Sequence, residues 1–312
     1  MRAPTGDQFA LSRSTPHGDA IAVITEVAAS LRILSIGGID LTEPYGDDVV
    51  PPFGDGIVLV PWPNRVKDGL WYHEGTAQVL DITEPALHNA LHGLLRDRPY
   101  TVLERSADAV ALAATVHPTH GYPFTLDTTV RYELGDDGIR VTHGVVNVGE
   151  KRAPYAVGTH PFLRLGEVPT YELTLTVAAG TRFETDARLN PIRETTVDGT
   201  DYDLRAGRLV AGLDLDDAFG AVTSVGGVSR HRLTAPDGRF VELWQESDFA
   251  YVQVFTTRIF PKDGGLGTAI AVEPMTAPPN ALNSGQGLRW LEPGESWSGS
   301  WGIRYSGDNE GE

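Results

Sequence analysis

The chain has 312 residues, of which 41% are hydrophobic and 21% are charged, close to the usage of ordinary globular proteins. Its formal net charge of -17 repels nucleic-acid phosphates and acidic lipid headgroups, and it favours a small neutral ligand or an anion held by local arginines. The absence of cysteine excludes disulfides, thiolate metal ligands and a cysteine nucleophile.

The length allows one large core, and we predict a single domain over residues 1–312 that is a monomer or a homodimer. The N-terminal segment is polar and is interrupted by Pro4 and Pro16, so it lacks the apolar core of a signal peptide. No stretch reaches the length of an apolar membrane span. These features predict a cytoplasmic protein with no membrane or nucleic-acid partner, and the polar tail, residues 306–312, is predicted to be frayed.

Glycine and proline punctuate the chain at short intervals, and the runs between them alternate or are rich in β-branched residues. In chain order, the predicted strands are Ala20 to Thr25, Ile57 to Val60, Ala109 to Val116, Thr125 to Leu134, Ile139 to Val148, Glu172 to Val177, Arg239 to Trp244, Tyr251 to Thr256 and Thr268 to Val272. Turn signals at residues 135–138 and 236–238 are typical of hairpins. Only Ala86 to Leu95 has the pattern of a short helix, which Gly93 and the flanking prolines limit. The pattern predicts an antiparallel all-β fold of stacked sheets.

The first candidate site is the segment from Val60 to Val66, in which two prolines flank a tryptophan and an arginine follows closely. A rigid loop of this kind can present Arg65 to a ligand, and Trp62 or Trp71 to the apolar face of a sugar ring. The alternative is a surface loop with a structural salt bridge.

Two histidines four residues apart, His88 and His92, form the second candidate. They could share a helix face as metal ligands, but the segment lacks the glutamate of the metalloprotease pattern, so we predict no metal site. His92 precedes Gly93, which allows the backbone to approach a ligand closely and favours a binding role. The alternative is a hydrogen-bonded histidine in a turn.

Two further polar residues close apolar runs. His160 is biased toward extended geometry by Pro161, and a histidine can give and take protons near neutral pH. Glu273 ends the run from Thr268 to Val272, where a carboxylate is costly unless it is paired or used. The two are a candidate acid/base pair. The alternatives are a satisfied histidine at a strand end and a carboxylate buried against an arginine.

Three aspartates crowd the segment from Leu213 to Phe219. Their spacing departs from the calcium loop that ends in glutamate, so we interpret Asp214 as part of a solvated turn. Asp216 or Asp217 could accept hydrogen bonds from sugar hydroxyls.

In this order, the motifs resemble those of the aldose 1-epimerase (galactose mutarotase) family. The resemblance spans residues 57–305 and is carried by Asn64-Arg65, Leu91-His92-Gly93, Gly121-Tyr122-Pro123-Phe124, Thr159-His160-Pro161, Asp216-Asp217-Ala218-Phe219, Val272-Glu273, Pro279-Asn280-Ala281 and Leu291-Glu292-Pro293-Gly294-Glu295. Each motif is weak alone, and their common order is specific. The resemblance implies an antiparallel β-supersandwich of the galactose mutarotase type and a cofactor-free enzyme that interconverts the α and β anomers of a hexose.

The resemblance also implies roles for single residues. In the family, a glutamate takes the proton from the anomeric hydroxyl and a histidine protonates the ring oxygen, and these match Glu273 and His160. The sugar-binding arginine of the family matches Arg65, which follows Asn64 in the motif. The first sugar-binding histidine matches His92. The aspartate that holds a ring hydroxyl matches Asp216, with Asp217 as the second choice.

Some positions depart from the family pattern. Leu94 stands where many members have a second glycine, and Thr159-His160-Pro161 stands where many have Asn-His before an aromatic residue. The forms Pro-Trp-Pro-Asn-Arg and His-Gly-Leu are more similar to the branch that includes mutarotases associated with sulfoquinovose. The sequence therefore leaves the identity of the sugar undetermined, and we favour a neutral hexose over an anionic sugar. An anionic sugar could be held by basic residues near the first two motifs, namely Arg65, Lys67, Arg96 and Arg98.

Anomer exchange needs one base and one acid and no metal or nicotinamide. We hypothesise that Glu273 is ionised and His160 protonated at rest, because each charge favours the other. Two other functions use similar residues: a glycoside hydrolase, with Glu273 and Asp216 as its carboxylates, and a non-catalytic sugar-binding protein without a proton-transfer pair. The chain order of the histidines and the arginine favours the epimerase.

Overall fold

The protein is built almost entirely from β-strands. A computed structural model describes residues 2–262 and 264–307. In chain order, the strands are β1 (Gln8–Thr15), β2 (Gly18–Thr25), β3 (Leu31–Ile36), β4 (Ile39–Asp40), β5 (Val58–Leu59), β6 (Arg65–Lys67), β7 (Leu70–His73), β8 (Thr76–Val79), β9 (Asn89–Leu91), β10 (Thr101–Arg105), β11 (Ala109–Val116), β12 (Leu126–Leu134), β13 (Gly138–Asn147), β14 (Ala153–Tyr155), β15 (Gly158–Thr159), β16 (Phe162–Leu163), β17 (Thr174–Val177), β18 (Ala179–Thr185), β19 (Pro191–Thr196), β20 (Arg208–Leu209), β21 (Asp216–Val222), β22 (Val228–Thr234), β23 (Phe240–Glu246), β24 (Tyr251–Lys262), β25 (Gly265–Met275), β26 (Arg289–Leu291) and β27 (Ser296–Ser306). The helical segments of this part of the chain are α1 (Ala281–Ser284) and the 3-10 turns Pro52–Gly54, Thr170–Glu172 and Val210–Gly212. Over the same residues, no helix has the length and apolar character needed to cross a membrane.

Two large antiparallel sheets dominate the fold. The nine-stranded sheet has the order β10-β11-β12-β13-β27-β23-β22-β17-β20. The eight-stranded sheet has the order β19-β18-β21-β24-β25-β15-β5, with β16 also paired to β25. A smaller sheet of order β1-β2-β3-β4 and the pairs β6-β9, β7-β8 and β14-β26 accompany them. The predicted antiparallel all-β fold is confirmed.

One apolar cluster takes side chains from both large sheets. Val254 on β24 and Val272 on β25 belong to it, together with Leu243 from the nine-stranded sheet. Because successive side chains of a strand point to opposite faces, Gln253 and Glu273 lie on the other face of the eight-stranded sheet. That second face carries the candidate site.

Each predicted strand overlaps an observed strand, and β24 and β25 are longer than predicted. The helix predicted at Ala86 to Leu95 is wrong, because β9 lies there and pairs with β6. His88 and His92 flank β9 with left-handed φ values of 54° and 61°, which a helix does not allow. The left-handed residues change the direction of the backbone on each side of β9.

Gly93 has a left-handed φ of 75°, and a Cβ at this position would lie 2.1 Å from the carbonyl oxygen of Val60. The close approach that this glycine permits in the structure is to the backbone of the neighbouring segment, and its approach to a ligand stays a prediction. At the C-terminus, Ser306 pairs with Phe240 as the last residue of β27, so fraying is not seen there. Gly307 ends the described part of the chain, and residues 308–312 of the predicted frayed tail lie outside it.

Candidate active site

His160 lies between β15 and β16, opposite Glu273 of β25. On either side of His160, Gly158 pairs with Met275 and Phe162 pairs with Ala271 of β25. Both pairs have the same register, which sets His160 opposite Glu273. His160 Nε2 lies 3.3 Å from Glu273 Oε1, and both side chains are buried. The sequence predicted that the strand ends just before Glu273. In the structure, Glu273 lies within β25, two residues before the end of the strand.

The next strands add two polar residues to this face. Gln253 on β24 pairs with Glu273, and Phe255 on the same strand pairs with Asp216 of β21. All four side chains therefore point to one face of the sheet. Gln253 Nε2 donates a 2.6 Å hydrogen bond to Asp216 Oδ1. The sequence prediction missed Gln253, although a glutamine between valines in a buried strand is a signal of this kind of role.

Arg65 reaches the site from β6 and is held by two carboxylates. Its Nε lies 3.0 Å from Glu84 Oε2, and its Nη2 lies 3.1 Å from Asp216 Oδ2. Burial lowers the pKa of Arg65, but Glu84 and Asp216 outweigh burial and raise it overall. Arg65 is therefore a fixed cation, oriented by a fork of hydrogen bonds. Glu84, which the sequence prediction did not include, is the main anchor.

His92 is held in one tautomer by the backbone of Asn64. The Asn64 N–H donates to His92 Nδ1 over 3.2 Å, and the His92 N–H donates to the Asn64 carbonyl over 3.0 Å. Because Nδ1 accepts, the proton of neutral His92 is on Nε2, which is left to donate. Burial, followed by the charges of His160, Arg65 and Arg96, lowers the pKa of His92 well below its usual range. His92 is therefore a neutral donor.

The pKa values of the central pair contradict the hypothesis of a resting ion pair. Burial raises the pKa of Glu273 well above its usual range, and Asp216 adds to the increase while Arg65 opposes it. Burial, opposed by a backbone hydrogen bond and assisted by the charge of Arg65, lowers the pKa of His160 to about 4. Burial disfavours the charged form of each group, so a protonated Glu273 and a neutral His160 are favoured. Glu273 Oε2 and His160 Nδ1 have no hydrogen-bond partner among the described residues.

These residues line one cavity of 330 Å³, which lies within the range of small-molecule sites. The polar residues of its lining are Asn64, Arg65, Glu84, His92, Arg96, His160, Asp216 and Glu273. The apolar residues are Phe53, Ile57, Leu91 and Phe255, and Gly54 completes the lining. Of the basic residues that could hold an anion, Arg65 and Arg96 line the cavity, whereas Lys67 and Arg98 lie near Asp186 and Asp97.

The predicted tryptophan platform is wrong. Trp62 is 2% exposed and packs against Tyr122, with ring centroids 6.0 Å apart. Trp71 is fully buried, and its Nε1 donates to the carbonyl of Gly121 over 2.7 Å. Both indoles therefore pack in the core, and neither lines the cavity.

Strand alternation places the two candidate aspartates on opposite faces of the sheet. Asp216 lines the cavity, whereas Asp217 points to the opposite face and pairs with Arg182 at 2.8 Å. Asp214 is exposed and does not line the cavity. Among the described residues, no group of three or more His, Cys, Asp or Glu side chains is placed to hold a metal ion.

A buried carboxyl fixes the loop that follows Phe53. Asp55 is fully buried, and its Oδ1 accepts a 3.1 Å hydrogen bond from the N–H of Phe162, two residues after His160. The Gly56 N–H donates to the His160 carbonyl over 2.8 Å, and the His160 N–H donates to the Ile57 carbonyl over 3.1 Å. Burial raises the pKa of Asp55 well above its usual range. The loop and His160 are thus tied into one unit.

Comparisons with known proteins show the family of this chain. The family model of aldose 1-epimerases matches residues 33–304. An uncharacterized protein of Escherichia coli strain K12, YihR, is 33% identical over 283 residues, which are 90% of this chain and 89% of that protein.

Two solved structures show the same fold. The GalM/aldose epimerase homologue of C. elegans has a TM-score of 0.82 at 17% identity, covering 96% of this chain and 99% of that one. Galactose 1-epimerase of Lactobacillus acidophilus NCFM has a TM-score of 0.74 at 16% identity, covering 96% of this chain and 98% of that one.

Proposed function

The chain belongs to the aldose 1-epimerase family and interconverts the α and β anomers of an aldose, and we propose that Glu273 and His160 are the base and the acid of this isomerisation. The observation that carries the proposal is their 3.3 Å approach at the cavity, with Glu273 Oε2 buried and without a partner among the described residues. A sugar hydroxyl is the donor that this oxygen lacks.

The pair shares one transferable proton in either of its forms, in addition to the proton that neutral His160 keeps on Nδ1. At rest, that proton lies on Glu273, because burial disfavours the charged forms. When a sugar donates a hydroxyl hydrogen bond to Oε2, the carboxylate is stabilised and the proton moves from Oε1 to His160 Nε2. The site then holds a carboxylate base and an imidazolium acid, and it needs no proton from solvent.

Ring opening then follows from two proton transfers. Glu273 takes the proton of O1 while His160 gives its proton to O5, the C1–O5 bond breaks, and the C1–O1 bond becomes a carbonyl. Rotation about C1–C2 presents the other face of the aldehyde. The reverse transfers close the ring as the other anomer. Each transfer contributes about a hundredfold or more, and no cofactor enters any step.

The remaining polar residues bind the sugar away from C1. We propose that His92 donates Nε2–H to a sugar oxygen and that Asp216 accepts from a ring hydroxyl. Arg65 fixes Asp216 and has one Nη1 N–H that neither Glu84 nor Asp216 engages, and Asn64 fixes His92. Hydrolysis of a glycoside is disfavoured, because Asp216, its second carboxylate, is engaged by Arg65 and Gln253.

The substrate is proposed to be a neutral hexose, since Arg65 is already neutralised by two carboxylates. Arg96 is the basic residue of the lining that an anionic sugar could use. The relation to the branch associated with sulfoquinovose, the single domain over residues 1–312, the cytoplasmic location and the monomeric or homodimeric state remain predictions.

Polarimetry of freshly dissolved α-glucose and α-galactose tests the proposed reaction. The protein should speed the approach to the equilibrium rotation, and it should release no reducing sugar from a glycoside. A panel that adds glucose 6-phosphate and sulfoquinovose tests the substrate class. A higher kcat/KM for either anionic sugar than for both neutral ones, abolished by Arg96→Gln, would contradict the neutral assignment.

A further inference from the structure

Phe53 combines exposure with an unusual backbone. It lies in the turn Pro52–Gly54, its side chain lines the cavity, and the residue is 42% exposed. Its φ of 53° is in the left-handed region, which is unfavourable for a residue with a bulky side chain. Such backbone persists only where surrounding contacts hold it, and it is concentrated at functional sites.

The turn is held from both ends. The Gly54 N–H donates to the Pro51 carbonyl over 3.1 Å, and the Asp55 N–H donates to the Pro52 carbonyl over 2.9 Å. The Asp55 side chain ties the turn to the N–H of Phe162. These hydrogen bonds connect the turn that carries Phe53 to the segment that carries His160.

The Phe53 ring rests on the aromatic residues that flank His160. Its centroid is 6.0 Å from those of Phe255 and Phe260 and 6.4 Å from that of Phe162. Phe162 in turn lies 5.4 Å from the His160 ring, and Phe255 lies 6.5 Å from it. Phe162 and Phe260 are fully buried, so the cluster is already covered from the core side. The exposed part of Phe53 is left to face the cavity and solvent.

The cavity lining combines polar and aromatic residues, which match the polar edge and the apolar faces of a pyranose. A pyranose has hydroxyl groups around its edge and C–H groups on its faces, and proteins bind such faces with aromatic rings. Arg65, His92 and Asp216 supply polar partners, whereas Phe53 and Phe255 supply aromatic surface. Phe53 is the more exposed of the two, which leaves its ring the larger free area.

We propose that Phe53 is the aromatic platform that packs against a C–H face of the bound aldose and determines the affinity for it. It has no part in proton transfer. The inference rests on the proposed function in that it takes the ligand to be an aldose. It replaces the tryptophan platform that the sequence predicted.

The test compares Phe53→Asn with Phe53→Tyr. Asparagine tolerates left-handed backbone and removes the ring, whereas tyrosine keeps the ring. Phe53→Asn should raise KM about tenfold or more for the sugar that wild type converts best and leave kcat within about twofold. Phe53→Tyr should restore KM to within about threefold of wild type. Tyr171→Ala, which removes a similarly exposed aromatic outside the cavity, is the matched control and should change neither constant.

A binding measurement separates this inference from the proposed reaction. In the Glu273→Gln background, calorimetric titration with the same sugar should give a Kd that Phe53→Asn raises by the same factor as KM. If wild type binds sugar without exchanging anomers, the proposed reaction fails and the titration still tests the platform. An unchanged Kd and KM in folded Phe53→Asn, or a loss confined to kcat, would overturn the platform, as would the absence of any sugar binding by wild type.

Discussion

Gln253 links Asp216 to the strand position of Glu273. Its Nε2 donates to Asp216 Oδ1 over 2.6 Å, and its residue pairs with Glu273 across β24 and β25. Because an ionised carboxylate only accepts hydrogen bonds, Asp216 fixes the orientation of the Gln253 amide. The Oε1 atom of Gln253 is buried without a partner among the described residues. The amide thus holds Asp216 in place and leaves an acceptor free.

Replacing Gln253 should weaken the reaction without removing it. Gln253→Leu deletes the charge-assisted hydrogen bond to Asp216, so kcat/KM should fall about tenfold or more, mainly through KM. Gln253→Glu should lower kcat/KM further, because it adds a negative charge beside Asp216. Steady-state kinetics checks both. A Leu variant with wild-type kcat/KM would show that Asp216 does not depend on this hydrogen bond.

The buried His160 should make the protein sensitive to acid. Its pKa is about 4 in the folded protein and 6.5 in an ordinary environment, so the unfolded chain binds a proton that the folded protein does not. Above pH 6.5 His160 is neutral in both states and does not change the free energy of unfolding. As pH falls from 6.5 toward 4, proton uptake by the unfolded chain lowers the free energy of unfolding by about 3 kcal/mol. His160→Asn should have a flatter dependence of unfolding free energy on pH in this range, measured by urea unfolding.

His143 and His231 remain in that variant and also have low pKa values, about 3 and about 4, because they are buried. The comparison of His160→Asn with wild type cancels their contribution. Parallel curves for the two proteins between pH 6.5 and 4 would contradict a neutral His160.

Asp55 should behave as a neutral carboxyl. Asp55→Asn keeps an acceptor for the Phe162 N–H and should retain most activity, whereas Asp55→Ala should lose about 1–3 kcal/mol of unfolding free energy and lower kcat by loosening the His160 segment.

Because burial raises the pKa of Asp55, wild type loses part of its stability as pH rises above the usual pKa of 3.8. Asn has no proton to lose, so the variant should gain stability relative to wild type from pH 4 to 8. The opposite trend would indicate an ionised Asp55.

Trp62 should affect folding and not sugar binding. Trp62→Phe leaves a cavity next to Tyr122, so the unfolding free energy should fall by about 1–3 kcal/mol while KM stays within about twofold. Thermal unfolding and steady-state kinetics measure the two effects. A large rise in KM at unchanged stability would restore Trp62 as a binding residue.

Much of the fold and site was accessible from sequence because local patterns encode it. The apolar run from Ala109 to Val116 predicts β11 with its bounds, and the isolated polar residues His160 and Glu273 mark the site by their contrast with apolar neighbours. The family resemblance added the roles of Arg65 and His92, and both residues line the cavity.

The errors concern side chains whose direction depends on distant parts of the chain. Nothing local indicates that Trp62 turns into the core while Phe53 is held at the cavity by contacts with residues more than a hundred positions away. The resting charges of His160 and Glu273 also escaped prediction. Sequence gives the attraction between the two groups, but the cost of their burial depends on the whole packed site.

The central claim is that Glu273 and His160 transfer the protons of anomer exchange. Two-dimensional exchange NMR on the best aldose of the panel measures this directly, using wild type, Glu273→Gln, His160→Asn and the control Tyr171→Ala. Wild type and the control should exchange the α and β signals at equal rates, and each active-site variant should be slower by about a hundredfold or more while still binding the sugar. Full exchange by either active-site variant would contradict the account.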